Sequence, residues 1–355
     1  MAKLPELVIH IGAGKTGSTS IQFALRRSSQ ILADQHAAYL GLILEQVPGA
    51  LAYEWCQEGT PVKFFRTLPK DRARVAVEMK SVLTVELHRL AALGVTRVIW
   101  SNEAFLSRSD RMLDIVRALV AEGVPIRLIC YVRRHDKWAR SAYVQFGLKG
   151  KTYVGPLRDF REWAKEWAQG FAADIQTWSD AFPGKLELYN FDAVGDVVAH
   201  FCALAQITGI DSLRANETPS NALLAAWAVF NGAHPKPVLP EAFTRLAAPL
   251  QILGPKAAGV PPLDKLLPTA DDLVAMQDVY REDFDKINDV LIRQGQPPLV
   301  FDRPDEKRRD VAPWEIDRML FQMAFSLQRQ VLELQEELRQ LKRGRLESLI
   351  AFLRA

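Results

Sequence analysis

Short apolar runs punctuate the first two hundred residues. Leu7–Ile11, Val95–Trp100, Ile126–Val132 and Leu186–Tyr189 are rich in large or β-branched side chains. Such runs fit strands buried on both faces. Between them, Ala73–Leu93, Arg111–Ala121 and Asp196–Ala205 carry apolar residues three and four apart, which predicts helices. Strands alternating with helices predict βαβ units, and so an α/β fold with a three-layer, mostly parallel sheet covered by helices on both faces. Ligands of such sheets bind beyond the carboxyl ends of the strands. The residues just after each strand are therefore where chemistry is expected.

The pattern changes in the last third of the chain. Residues 233–268 hold prolines at 235, 237, 240, 249, 255, 261, 262 and 268, an irregular excursion too rich in breakers for a central strand. Helical periodicity returns over Asp271–Arg293, before a short extended segment, "PPLVFD". Leu320, Ala324, Leu327, Val331, Leu334, Leu338 and Leu341 then alternate four and three apart. This heptad seam favours two strands; residues 320–341 are expected to pair in a homodimer or to fold back on their own domain. The seam is about three heptads long and Gly344 is expected to interrupt it. The amphipathic "RLESLIAFLRA" beyond suits a domain surface, a partner helix or peripheral membrane contact. The expected division is a domain over residues 1–303 and a C-terminal helix with short heptads over 314–355.

Composition narrows the classes. With 355 residues, 25% charged and 48% hydrophobic, the chain matches ordinary globular proteins. A net charge of +3 over this length argues against nucleic acid as partner while allowing a local basic pocket. Cys56, Cys130 and Cys202 form neither a disulfide framework nor a metal pattern. No apolar run approaches the roughly 20 residues that span a bilayer, and residues 1–20 lack a basic segment followed by an apolar core. A cytoplasmic protein without a metal is expected.

The chemistry starts at "LVIHIGAGKTGSTSIQ", residues 7–22. A strand leads into glycines that let backbone N–H groups crowd around an anion. A helix follows, whose first turn has unsatisfied donors. Lys15 adds charge, and Ser18 and Thr19 add hydroxyls. A Walker loop does not fit: with Gly14-Lys15-Thr16 at its end, Ile9 stands where the first glycine belongs. A second candidate lies at residues 128–150, where Arg133 ends a strand and Ser141 follows eight residues later on a predicted helix. Guanidinium and hydroxyl together suit a phosphate.

Read as Lys15-Thr16-Gly17-Ser18-Thr19 and continued by Ser20-Ile21-Gln22, the loop resembles the 5′-phosphosulfate loop of the sulfotransferases that use 3′-phosphoadenosine 5′-phosphosulfate (PAPS). Arg133 and Ser141 resemble that family's 3′-phosphate motif, and "SNE" at 101–103 resembles a turn of its bacterial members. Weaker likeness extends through "NETPSNALLAAWAVFN" and "FDKINDVLIRQG", so that it covers about residues 5–303. The resemblance implies a P-loop-like sulfotransferase fold, PAPS as donor and adenosine 3′,5′-bisphosphate as product. It implies that Gly14, Lys15, Thr16, Gly17, Ser18, Thr19, Arg133 and Ser141 bind the donor. By analogy the acceptor is a hydroxyl on a bacterial glycan or glycolipid.

Sulfuryl transfer needs charge neutralised on the leaving phosphate, for which Lys15 is the candidate, and a base for the acceptor hydroxyl. Glu103, just past a predicted strand, is the candidate base; helix capping or pairing with an arginine is the alternative. His10, inside the first strand, is expected to be a buried structural residue. His135 either supports Arg133 or is simply exposed. Adenine would need an apolar sandwich, for which Trp138, Trp163, Trp167 and Tyr189 are available, with core packing the default. Arg66, Lys70 and Arg72 either flank an anionic acceptor or form a solvated face. Two other functions stay open: a P-loop kinase or NTPase using ATP–Mg²⁺, although no strand end reads as a Walker-B aspartate, and a non-catalytic nucleotide-binding scaffold assembled through the C-terminal helix.

Overall fold

In the computed structural model, which describes residues 3–57, 72–212, 221–232, 234–240, 242–243, 263–304 and 309–354, five strands form one all-parallel sheet. They are β1 (Glu6–Gly12), β2 (Ala37–Tyr39), β3 (Arg97–Ser101), β4 (Ile126–Val132) and β5 (Leu186–Asn190), in the order β2–β3–β1–β4–β5. The principal helices are α1 (Ser18–Arg27), α2 (Ser29–Asp34), α3 (Arg72–Ala92), α4 (Ser109–Ala121), α5 (His135–Tyr143), α6 (Phe160–Trp167), α7 (Ala172–Ala181), α8 (Val197–Leu204), α9 (Asn221–Gly232), α10 (Ala270–Val279), α11 (Arg281–Arg293) and α12 (Pro313–Arg354).

The strands are apolar on both faces because both are covered. Val8, Ile99, Ile129 and Tyr131 meet Ile21 and Leu25 of α1 and Phe201 of α8 in one buried cluster. Leu7, Ile9, Val98, Trp100, Leu128 and Cys130 alternate with them and are fully buried on the opposite face. There α3, α4, α7 and α11 pack against one another in succession. From β1 the chain turns toward β2, whereas from β3 it passes over β1 to β4. Adjacent strands β1 and β4 thus send their chains to opposite sides, which opens a crevice at their carboxyl ends. Their register shifts between His10 and Gly12, so that β1 bends as it enters the loop.

The chain forms two compact units. The first comprises Met1–Trp138, Gln169–Glu217 and Leu273–Pro304; the second comprises Ala139–Ala168, Thr218–Asp272 and Asp305–Ala355. The sheet belongs to the first. In the second, α6 opens on a capping box in which Asp159 and Glu162 exchange hydrogen bonds with each other's backbone amides. Tyr143 packs on Phe160 and Trp163. The buried Lys151 ammonium donates to the carbonyls of Gly155 and His234, and burial lowers its pKa.

The structure adds detail in three places. The stretch 271–293 is helical in two pieces: α10 ends at Val279 and α11 starts at Arg281, because the chain leaves helical geometry at Tyr280 (φ −102°, ψ 20°). The last helix runs unbroken from Pro313 to Arg354, through Gly344, where the heptad spacing stops. One glycine costs about 1 kcal/mol in a helix, which its helix-forming neighbours outweigh. The short strand β2, at residues 37–39, was not predicted. Along α12, Leu320, Ala324, Val331, Leu334, Leu338 and Leu341 are exposed. No helix among the described residues is long and apolar enough to cross a membrane. Arg66, Lys70 and residues 216–220 lie outside the described residues, as does the side chain of Arg72.

Candidate functional site

The loop after β1 is shaped by two close approaches. Gly12 has φ 114°, and a Cβ there would lie 2.5 Å from the carbonyl oxygen of Glu103, so glycine lets the ends of β1 and β3 converge. Gly17 has φ 82°, and a Cβ there would lie 2.5 Å from Val197 Cγ1 and 3.2 Å from Phe191 Cε2. Lys15 also adopts a left-handed conformation, φ 64°, uncommon for a residue with a side chain. The Ala13 amide donates to the Tyr131 carbonyl at 2.7 Å, tying the loop to β4.

Within the loop, Thr16 is fully buried and its hydroxyl donates to the Ala13 carbonyl at 2.5 Å. The Ser18 hydroxyl reaches the same carbonyl at 3.5 Å, and Thr19 is exposed. Two of the predicted hydroxyls therefore brace the loop from within. The Ser20 and Ile21 amides close onto the Gly17 carbonyl at 2.9 and 3.1 Å, so the open donors are the backbone amides of Ser18 and Thr19, at the very start of α1. Gly17 occupies the N-cap position, no side chain caps the helix, and its first turn carries no acidic residue. That end of the helix presents only positive partial charge.

At the end of β4, Arg133 turns toward this loop. Its Nη1 donates to the Lys15 carbonyl at 3.0 Å and its Nη2 to Asp192 Oδ1 at 3.4 Å. Its guanidinium lies 5.0 Å from the centre of the Phe191 ring. The buried Nε has no acceptor among the described residues. Burial lowers the Arg133 pKa, partly offset by Asp192. Arg134 points elsewhere: it forms a forked pair with Asp136 at 2.6 and 3.0 Å and reaches Asp302 at 2.6 Å and the Val300 carbonyl at 3.2 Å. It fastens the segment after α11 to the turn before α5. Ser141 lies near the end of α5, half-buried, in the part of that helix assigned to the second unit.

Glu103 follows β3 and stands beside the loop, its Cγ 3.9 Å from where a Cβ on Gly14 would be. Its Oε2 accepts a 2.7 Å hydrogen bond from Gln22 Nε2, a buried side chain on the second turn of α1. His10 is fully buried, its Nδ1 2.8 Å from Ser101 Oγ, and burial pushes its pKa down to about 3. The imidazole is thus neutral and built into the sheet. His135 is buried too: it stacks between Tyr280 and Phe171, with Nε2 2.8 Å from Asp283 Oδ2. Burial alone would raise the Asp283 pKa, but His135 and the amides of Phe171 and Ala172 bring it below the usual value. Trp138, Trp163 and Tyr189 are buried, and Trp167 is exposed.

No family model matches the chain, and no curated protein matches it.

The first unit therefore brings the residues 14–19, Arg133 and Glu103 to one end of the sheet, with a guanidinium, open helix amides and a carboxylate side by side. Ser141 is placed only by its helix. Sequence reasoning passed over Gln22, Phe191 and Asp192. Gln22 had been read only as part of the loop's continuation. The other two follow β5, where the rule that strand carboxyl ends carry function applies equally.

Proposed function

We propose that the chain is a PAPS-dependent sulfotransferase with a P-loop-like fold, transferring a sulfuryl group to an acceptor hydroxyl, with a glycan or glycolipid as the acceptor class. The observation that carries this reading is the meeting of the two loops, Arg133 Nη1 to the Lys15 carbonyl at 3.0 Å. An uncapped helix end and an arginine with a spare buried N–H, side by side, suit a nucleotide with phosphates on both sides of its ribose.

In this reading the amides at the start of α1 and Lys15 hold the 5′-phosphosulfate, and Arg133 holds the 3′-phosphate. Glu103, steadied by Gln22, takes the proton of the acceptor hydroxyl. The acceptor oxygen bonds to sulfur in line as the bond from sulfur to the phosphate oxygen breaks. Lys15 offsets the charge that collects on that oxygen, and adenosine 3′,5′-bisphosphate leaves. Positioning and electrostatics carry the rate. No metal is used.

The exposed seam of α12 supports a two-stranded coiled coil through residues 320–341. A cytoplasmic enzyme, with peripheral contact to a membrane that carries its acceptor, completes the reading.

The test is a thermal-shift comparison of adenosine 3′,5′-bisphosphate with ATP–Mg²⁺, followed by transfer of labelled sulfate from PAPS to a panel of hydroxyl acceptors. Stabilisation by the bisphosphate and a labelled product are expected. Stabilisation by ATP–Mg²⁺ alone sinks the proposal in favour of a kinase or NTPase. Binding of the bisphosphate without a labelled product points to a scaffold.

A further inference from the structure

We propose that Asp192 is an internal stand-in for the 3′-phosphate: it sits on the cationic seat made by Arg133, Lys137 and the Arg134 amide, and nucleotide binding displaces it. The inference rests on the sulfotransferase reading and deepens it. It assigns two further phosphate ligands, Lys137 and the Arg134 amide, and a residue that sets affinity.

The contacts are unusual as a set. Asp192 Oδ1 lies 3.4 Å from both Arg133 Nη2 and Lys137 Nζ, and Oδ2 lies 3.4 Å from the Arg134 amide nitrogen. A guanidinium fork, an ammonium and a backbone amide are the donors a phosphate monoester takes. All three contacts are longer than well-formed hydrogen bonds, which run about 2.7–3.2 Å. One residue along, Arg134 holds its carboxylates at 2.6 Å. Asp192 is thus seated but not locked.

Charge says the same. Arg134 is compensated by Asp136 and Asp302, whereas Arg133 and Lys137 share the single carboxylate of Asp192. Counted with Asp136 and Asp302, the cluster holds three cations against three carboxylates, so the seat becomes cationic once Asp192 leaves it. A phosphate monoester brings about two negative charges near neutrality and fills it better. The buried Nε of Arg133, without an acceptor, is a further donor that Asp192 leaves unused.

Asp192 is also placed to move. It lies on the short turn Phe191–Ala193 after β5, held by its own amide, which donates to Asn190 Oδ1 at 2.9 Å. The carboxylate can swing away while that backbone bond stays.

Calorimetric titration of the full chain with adenosine 3′,5′-bisphosphate and with adenosine 5′-monophosphate tests this. Wild type should prefer the bisphosphate. Asp192→Asn should tighten the bisphosphate by roughly threefold to tenfold, the scale of one partly exposed ion pair, and leave the monophosphate unchanged. Lys137→Gln should weaken the bisphosphate alone. If Asp192 instead serves to hold Arg133 in place, Asp192→Asn weakens the bisphosphate, and that result, or no change, overturns the proposal. Wild type binding neither nucleotide would mean that the sulfotransferase reading itself has failed. Wild type that prefers the bisphosphate, with no tightening in Asp192→Asn, removes this inference alone.

Discussion

Helices α1 and α8 pack together on the same face of the sheet and start in opposite ways. α8 begins on Asp196, whose side chain accepts from the amides of Val198 at 2.9 Å and Ala199 at 3.0 Å. α1 begins on Gly17 with no side-chain cap. A cap is worth about 1 kcal/mol, so α1 forgoes stability that its neighbour keeps. The capped helix also forms the wall of the uncapped end, since Val197, its first residue, is what a side chain at position 17 would strike. The difference teaches how to tell a helix end that serves the fold from one left open for a ligand: the first satisfies its amides internally, and the second is surrounded by residues that keep them bare.

The sharpest way to break this comparison is Lys15→Ala. Transfer of labelled sulfate should fall at least about a hundredfold while the melting temperature stays within a few degrees. Loss of activity in step with loss of folding would place Lys15 with the scaffold instead. Gly17→Ala comes next. With φ at 82° and Val197 Cγ1 at 2.5 Å, it should cost about 1–3 kcal/mol in urea unfolding and weaken bisphosphate binding by roughly tenfold or more.

A pH series probes the strand beneath both helices. The His10 ring lies 5.6 Å from that of Phe201 on α8, and its pKa falls from 6.5 to about 3 on folding. Between those values the unfolded chain binds a proton that the folded chain does not. Stability therefore drops as pH falls from 6.5 toward 3, by up to about 1.4 kcal/mol per pH unit. His10→Gln should flatten that slope, and an unchanged slope would assign the acid sensitivity elsewhere. The smallest effect belongs to the capped helix: Asp196→Ala should cost about 1 kcal/mol and leave nucleotide affinity unchanged. A loss of affinity there would erase the distinction between the two helix starts.

The four long strands were legible because burial on both faces leaves an unbroken apolar run. β2 was not, since Ala37-Ala38-Tyr39 is too short to make one. The start of α8 was readable to within a residue because Asp196 is both the end of the loop and the cap. The break at Tyr280 was hidden because the apolar spacing continues through it. At the candidate site, Gly14, Lys15, Gly17 and Arg133 stood out because each belongs to a local strand–turn–helix pattern. Gln22 and Asp192 act through partners 81 and 59 residues away, Glu103 and Arg133, and no spacing rule reaches that far. Thr16 and Ser18 were legible as hydroxyls but not in direction. Only the folded loop turns them to the Ala13 carbonyl.

The three-part make-up of the sheet-bearing unit bears on how the protein is made. Its last segment, Leu273–Pro304, supplies Asp283 to His135 and Asp302 to Arg134. During synthesis, β1 to β5 all emerge before the residues that buttress the end of β4. The sheet can assemble early, but the turn that carries Arg133 gains its support only after residue 302 has left the ribosome. Nascent chains halted near residue 270 should therefore show that turn open to protease, and release of the next thirty-odd residues should close it.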